Sequence, residues 1–127
     1  MADNTTLNPG SGGDVIATHQ IGTAKYQITQ FCGTYETVAA SQTAQVLGAS
    51  GAAGDYIGGV LVIPATTSPG AVTLLDNATS ITIFTGGATS VSNLVPFMIP
   101  LGAVSVSGAW KLTTGANVSC IAVGNFT

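Results

Sequence analysis

The carboxylates and the single histidine are the first side chains to consider for catalysis. The chain has one histidine, His19, and five acidic residues, which are Asp3, Asp14, Glu36, Asp55 and Asp76. Hydrolysis by paired carboxylates needs two acids on converging elements, whereas these acids fall mainly at predicted turns, where carboxylates commonly accept hydrogen bonds from turn amides. A nucleophilic triad needs a histidine beside the nucleophile, and His19 stands away from the predicted body. We therefore expect no catalytic residue and no enzymatic activity.

Metal and phosphate chemistry also lack their usual residue sets. A zinc site needs three or four histidine, cysteine or carboxylate ligands, which one histidine and two distant cysteines do not supply. The glycine-rich segment 48–56 lacks the Gly-Lys-Ser/Thr ending of a phosphate-binding loop, so it predicts a turn. We expect neither a metal nor a cofactor. Cys32 and Cys120 either pair as a disulfide or remain buried free thiols, and the lack of a predicted signal peptide favours the thiols.

Three aromatic residues, Tyr35, Tyr56 and Trp110, are candidate contacts for a surface ligand. An exposed tryptophan can stack on a sugar ring, and Trp110 is the only tryptophan in the chain. The alternative for Trp110 is a half-buried core aromatic. This alternative is favoured because a sugar site usually has a second exposed aromatic residue and nearby acids.

Charge is scarce along the whole chain. Only 6% of the residues are charged, and Lys25 and Lys111 are the only basic residues. Binding to nucleic acid or to an anionic membrane surface needs clusters of basic side chains, so we expect neither as a partner. A surface with few charges has little long-range repulsion between copies, which favours a protein that is packed against other subunits. The remaining alternative is a neutral soluble domain with a threonine-rich surface.

Short strands separated by turn residues dominate the chain. Strands are predicted at 25–32, 43–49, 56–65, 71–76, 80–86, 103–108, 109–114 and 118–126. The segment 92–100 contains Pro96 and Pro100 and is expected at a sheet edge or in a crossing loop, because proline cannot donate to a sheet ladder. Residues 37–50 are the only candidate helix, although their Thr, Val and Gly content argues against one. Residues 115–117 are expected to form a hairpin turn.

The predicted architecture is all-β, a compact sandwich or barrel of short antiparallel strands with an extended N-terminal arm. The arm comprises residues 1–22, and residues 23–127 form a single domain. Residues 1–13 are polar turn formers without periodicity, so this part of the arm cannot bury itself. We expect it to be either loose or laid along a neighbouring subunit.

Several segments resemble structural proteins of tailed bacteriophages. The residues GGDVIA at 12–17 and KYQ at 25–27 resemble an N-terminal stretch that many such proteins share. In the common form an acidic pair lies between these two motifs, and His19 and Gln20 stand in its place here. The resemblance extends over most of the chain and includes the segments 54–74, 81–90, 93–102 and 107–126.

The resemblance implies a structural protein of the virion, made in the host cytoplasm. The leading hypothesis is a head decoration, or cement, protein that binds the capsid exterior as a homotrimer, has the major capsid protein as its partner and stabilises subunit joints. Its arm would attach by strand addition, with contacts at Asn4, Asp14, Val15 and Ile16. The alternative is a tail, baseplate or fibre-associated module that binds a host surface or carbohydrate through the three aromatic residues named above.

Overall fold

The computed structural model describes residues 33–127 in full and, before them, the backbone of two short strands. These are β1 (Thr18–Ile21) and β2 (Ala24–Gln27), which pair antiparallel with His19 opposite Tyr26. The chain divides into two compact units, residues 1–31 and residues 32–127. Residues 1–17, which include most of the predicted arm, lie outside the described residues.

Residues 33–127 form a sandwich of two antiparallel sheets, which confirms the predicted all-β class. The described residues contain no helix. The strands of this body are β3 (Thr34–Val38), β4 (Gln45–Val46), β5 (Tyr56–Pro64), β6 (Val72–Asp76), β7 (Thr79–Phe84), β8 (Phe97–Val104), β9 (Trp110–Thr114) and β10 (Val118–Asn125). The first sheet has the strand order β3-β10-β5-β8, and the second has the order β4-β9-β6-β7.

The core lies between the two sheets, and the alternation of side chains along each strand explains which residues enter it. In β10, Val118 and Cys120 are buried, and the residue between them is partly exposed. In β9, Trp110, Leu112 and Thr114 are buried in the same alternating way. Each fully buried aliphatic side chain contributes roughly 1.5–3 kcal/mol. Every buried side-chain nitrogen and oxygen in residues 33–127 has a hydrogen-bond partner.

The region around β3 and β4 differs from the sequence prediction. Residues 34–38 form a strand paired with β10, although no strand is predicted there. The reason is that only Val38 of this edge strand is buried, so its sequence shows no apolar alternation. The candidate helix over 37–50 does not form. Positive φ angles at Ser41 (60°) and Ala44 (48°) turn the chain instead.

Strand β8 lies at the edge of the first sheet, as the prolines in its segment predict. Pro100 stands opposite Gly59 of β5, beside a register shift between Ile57 and Gly59. The boundaries differ from the prediction, since one strand runs from Phe97 to Val104 where two segments are predicted. The sequence suggested a break because Pro100 and Gly102 stand inside this strand, and an edge strand tolerates both.

Successive strands of the body mostly belong to opposite sheets. Within residues 33–127, only β6 and β7 form a hairpin in one sheet, through a turn at Asn77 with a φ of 55°. The prediction of a hairpin turn at 115–117 is wrong. Residues 115–117 connect the two sheets, because β9 pairs with β4 and β6, whereas β10 pairs with β3 and β5.

Two glycines allow this crossing turn to touch the segment before β6. A Cβ atom on Gly70 would lie 2.7 Å from the Cα of Gly115, and a Cβ on Gly115 would lie 2.7 Å from the Cα of Gly70. The N–H of Gly70 donates to the carbonyl of Ala116 at 2.8 Å, and that of Gly115 donates to Ala71 at 2.7 Å. Only residues without a side chain permit such an approach, so this contact fixes one end of the sandwich.

Candidate functional site

The structure tests the predicted contact residues only in part. Asn4, Asp14, Val15 and Ile16 lie outside the described residues, so their role as capsid contacts stays a prediction. The three aromatic candidates lie within the described body. They differ strongly in exposure, and this difference separates the two tyrosines from the tryptophan.

Trp110 belongs to the core and not to the surface. It is 4% exposed, whereas Tyr35 is 72% and Tyr56 is 38% exposed. Its indole Nε1 donates a 2.8 Å hydrogen bond to the backbone carbonyl of Asp55, which satisfies the N–H of a buried tryptophan. Of the two alternatives for Trp110, the favoured one, a core aromatic, is confirmed, and the ligand contact is wrong because the sandwich covers the ring. Tyr35 and Tyr56 remain available as exposed aromatic residues.

The carboxylate of Asp55 is buried and joins segments that are distant in sequence. Its Oδ2 accepts the backbone N–H of Ala52 at 3.0 Å and that of Thr127 at 3.2 Å, and its Oδ1 accepts the Thr127 hydroxyl at 3.1 Å. Its backbone carbonyl accepts the N–H of Ser105 at 2.9 Å, besides the indole of Trp110. The sequence predicts the bond to a turn amide and misses the contacts to Thr127, Ser105 and Trp110.

These hydrogen bonds keep Asp55 ionised. Burial raises the pKa of this carboxyl, but the hydrogen bonds from Ala52 and from the backbone and hydroxyl of Thr127 lower it more, and the pKa falls below its ordinary value of 3.8. Both carboxylate oxygens are occupied by internal donors, and the residue is buried. We infer that Asp55 stabilises the fold as a charged hydrogen-bond acceptor.

Asp76 has a similar effect on the loop after β8. Its carboxylate accepts the backbone N–H groups of Val106 and Ser107 at 3.0 Å. The neighbouring Asn77 accepts a 3.4 Å hydrogen bond from the Lys111 ammonium. These contacts bind residues 106 and 107 to the end of β6 in the second sheet, and the strand predicted over 103–108 ends at Val104.

The outward side of the first sheet is an apolar surface without a charged side chain. Outward positions of an antiparallel sheet that faces water are usually polar. Here most of them, identified by alternation with buried residues, carry aliphatic or aromatic side chains. We call this surface the apolar face, and it consists of Tyr35, Thr37, Tyr56, Leu61, Ile63, Met98, Pro100, Val104, Ser119, Ile121, Val123 and Asn125.

One row of the apolar face crosses all four strands of the sheet. Ile121, Leu61 and Met98 stand side by side in register, and Thr37 continues the row on β3. Directly opposed residues of neighbouring strands have Cβ atoms about 4.5–5.5 Å apart, so these side chains form a continuous surface. Met98 is 50% exposed and Val104 is 54% exposed. A contiguous exposed apolar patch is typical of an interaction site.

The outward side of the second sheet is polar by comparison. Thr113, Thr73 and Thr82 form one row across β9, β6 and β7. In the next row, Leu75 stands beside Lys111. Threonine hydroxyls and Lys111 make this side the more polar of the two outer faces, and Leu75 and Val46 are the apolar residues beside Lys111.

The described residues offer no competing reactive cluster. Among them, no group of three or more His, Cys, Asp or Glu side chains is arranged to hold a metal ion. No helix in this part of the chain is long and apolar enough to cross a membrane. A groove along residues 90–97 is lined by uncharged side chains. The apolar face is therefore the candidate functional site.

Cys120 is a free thiol that is buried behind the apolar face, in the core. Burial raises the pKa of this thiol to about 12, and the thiolate is the form that reacts with alkylating reagents. We predict that the folded Cys32→Ser protein resists iodoacetamide at neutral pH, while the urea-unfolded protein is fully modified. Intact mass spectrometry measures the difference, and equal modification rates in the two states would contradict the burial of Cys120.

The candidate site is thus a surface suited to packing and contains no reactive group. Its outline follows from strand register and side-chain exposure within this chain. Comparison of the chain with protein-family models, with curated proteins and with solved structures finds no match.

Proposed function

We propose that this chain is a structural protein of a tailed-bacteriophage virion and that it decorates the outer surface of the capsid. The resemblance of residues 12–17, 25–27 and the later segments supports the phage origin. The architecture supports a structural role, since the buried carboxylate of the sandwich, Asp55, accepts hydrogen bonds from within the fold and stabilises it. The protein acts by adhesion, and no chemical step is assigned to it.

The observation that carries the proposal is the near absence of exposed charge. Residues 33–127 contain only Glu36, Asp55, Asp76 and Lys111 as charged side chains, and Asp55 is buried. An ordinary domain has charge on roughly a quarter of its residues. Like charges on neighbouring copies repel each other, so a nearly neutral surface favours a protein that is packed in many close copies on a shell.

We assign attachment to the major capsid protein to the N-terminal arm, residues 1–22. An extended segment can add to the sheet edge of a neighbour through backbone hydrogen bonds. Asn4, Asp14, Val15 and Ile16 are the proposed contacts of this arm. If a multimer engages several capsid sites at once, weak individual contacts gain avidity.

Co-sedimentation with expanded capsids that lack the protein tests this assignment. We expect saturable binding of the full chain and an affinity lowered at least about tenfold by Val15→Asp combined with Ile16→Asp, because each change removes a buried apolar contact of roughly 1.5 kcal/mol or more. The control is Thr82→Asp combined with Asn93→Asp, at two exposed positions outside the apolar face, which adds the same charge and should bind as the unchanged protein does.

Two results would contradict the assignment. The folded full chain could fail to bind capsids, or the arm variant could bind as tightly as the control. Binding to purified tails without binding to heads would support the alternative, a tail, baseplate or fibre-associated module. In that module Tyr35 and Tyr56 are the remaining aromatic contacts.

A further inference from the structure

We propose that the apolar face packs against the same face of a second copy of this chain, so that two sandwiches associate about a two-fold axis. This pair takes the place of the homotrimer that the phage resemblance implies. The surface differs from the arm to which capsid attachment is assigned, and self-association is measured on the purified chain alone, so its failure is distinguishable from a failure of capsid binding.

An apolar sheet face is buried by one of a small set of partners. Such a face is covered by a helix or by the face of another sheet, and two sheets pack about 10 Å apart. The described residues contain no helix. The outer face of the second sheet, with Thr73, Thr113 and Lys111, is polar and makes a poor cover. The same apolar face of another copy is the matching surface that this sandwich offers.

The lack of charged side chains on the apolar face favours contact with a second copy. In a two-fold contact the same surface of both copies is buried. A charged residue on that surface would therefore be brought close to the identical charge of the other copy. The apolar face carries no charged side chain. An acidic or basic partner would require complementary charges here. Tyr35, Tyr56 and Met98 are of the residue types enriched in the centres of protein interfaces.

The apolar face is also large enough for a contact between two copies. A four-stranded sheet, with strands about 4.8 Å apart and about 3.3 Å of rise per residue, presents a flat area of roughly 500 Å². Side chains corrugate this surface, so its accessible area is larger. A stable association buries about 800 Å² per partner. One face of this sheet is therefore large enough to supply most of an interface between two copies.

Light scattering during size-exclusion chromatography of the full chain tests the proposal. We expect a mass of twice the 12.5 kDa chain that falls toward one chain as the protein is diluted. Met98→Lys adds a lysine to the row that crosses the apolar face and should weaken the association at least about tenfold, because each pair would bring two unpaired charges into the apolar contact. Leu75→Lys adds the same charge on the polar outer face and should leave the mass unchanged.

Three results would overturn the proposal. The unchanged chain could be a monomer at its highest soluble concentration, it could form the trimer that the phage resemblance implies, or its dimer could be unaffected by Met98→Lys. Circular dichroism of each variant verifies that the sandwich is folded.

A second measurement avoids substitution altogether. Hydrogen peroxide oxidises an exposed methionine to the sulfoxide, and Met98 is half exposed in a single sandwich. We expect slow oxidation of Met98 in concentrated protein and faster oxidation after dilution, as followed by peptide mass spectrometry. An oxidation rate that does not depend on protein concentration, across a range in which the mass changes, would show that the apolar face is not the interface.

Discussion

Replacement of Trp110 by alanine is expected to lower the free energy of unfolding by about 3–5 kcal/mol, the usual cost of removing a large buried aromatic side chain. The indole is buried between the sheets, and its Nε1 donates to the carbonyl of Asp55. The substitution leaves a cavity and removes a hydrogen bond at the same point. Because a whole domain is stable by only about 5–15 kcal/mol, this change alone brings the body close to unfolding.

Urea denaturation followed by circular dichroism measures this loss. Val106→Ala is the control, since Val106 is largely exposed and lies outside the apolar face, and its truncation should change stability by no more than about 0.5 kcal/mol. Trp110→Phe retains most of the ring volume and loses the N–H donor, so we expect an intermediate loss of about 1–3 kcal/mol. If Trp110→Ala were as stable as Val106→Ala, the placement of the indole in the core would be wrong.

Replacement of Asp55 by asparagine is the second large expected effect, a loss of about 2–4 kcal/mol near neutral pH. Hydrogen bonds to a charged acceptor contribute roughly 1.5–3 kcal/mol, and the carboxylate accepts from Ala52 and twice from Thr127. An amide group in this place loses the charge and turns an NH₂ group toward these donors. The loop 52–55 and residue 127 should then be the first parts to show faster amide exchange.

The stabilisation by the Asp55 carboxylate is expected to decrease as the pH falls. The pKa of Asp55 is lower in the folded protein than its ordinary value of 3.8, so the unfolded chain binds the proton more readily as the pH falls. The stabilisation is fully present above the unfolded pKa and is lost as the pH falls through the folded pKa. The difference in urea midpoint between the unchanged protein and Asp55→Asn should therefore become smaller as the pH is lowered from neutral. A constant difference down to the most acidic pH would contradict the role of the carboxylate.

Much of the fold could be predicted from alternation and from turn residues. The apolar run at 60–63 indicates β5, and the alternating buried positions of β9 and β10 follow from the same pattern. The prolines of the segment 92–100 correctly indicate a sheet edge. These predictions succeed because each depends on neighbouring residues and on local backbone geometry.

The parts that could not be predicted depend on contacts between distant residues. Strands β9 and β10 are separated by a short turn yet join different sheets, and nothing in residues 115–117 indicates this. The loop after β8 is bound by Asp76, about 30 residues earlier in the sequence, which accepts its N–H groups. Trp110 is buried beside Asp55, which is 55 residues away. Alternation places a side chain on one side of a strand and does not specify its partner.

One segment of the sequence indicates the apolar face, although by its composition it predicts a fully buried strand. The run from Val60 to Ile63 is apolar on both sides of the strand and predicts burial. Its inward half, Val60 and Val62, is indeed buried in the core, whereas its outward half, Leu61 and Ile63, is only partly buried and belongs to the apolar face. In an antiparallel sandwich, a strand that is apolar on both sides indicates an outer surface that needs a partner.

The central claim, that this chain is a structural protein of the capsid exterior, is tested most directly by locating it on the virion. Virions of a phage propagated with a tagged gene for this chain are separated into heads and tails, and the chain is quantified by mass spectrometry against the major capsid protein. We predict that the chain occurs with the heads, in a fixed ratio to the capsid protein. Its absence from the virions, or its presence only with the tails, would contradict the claim.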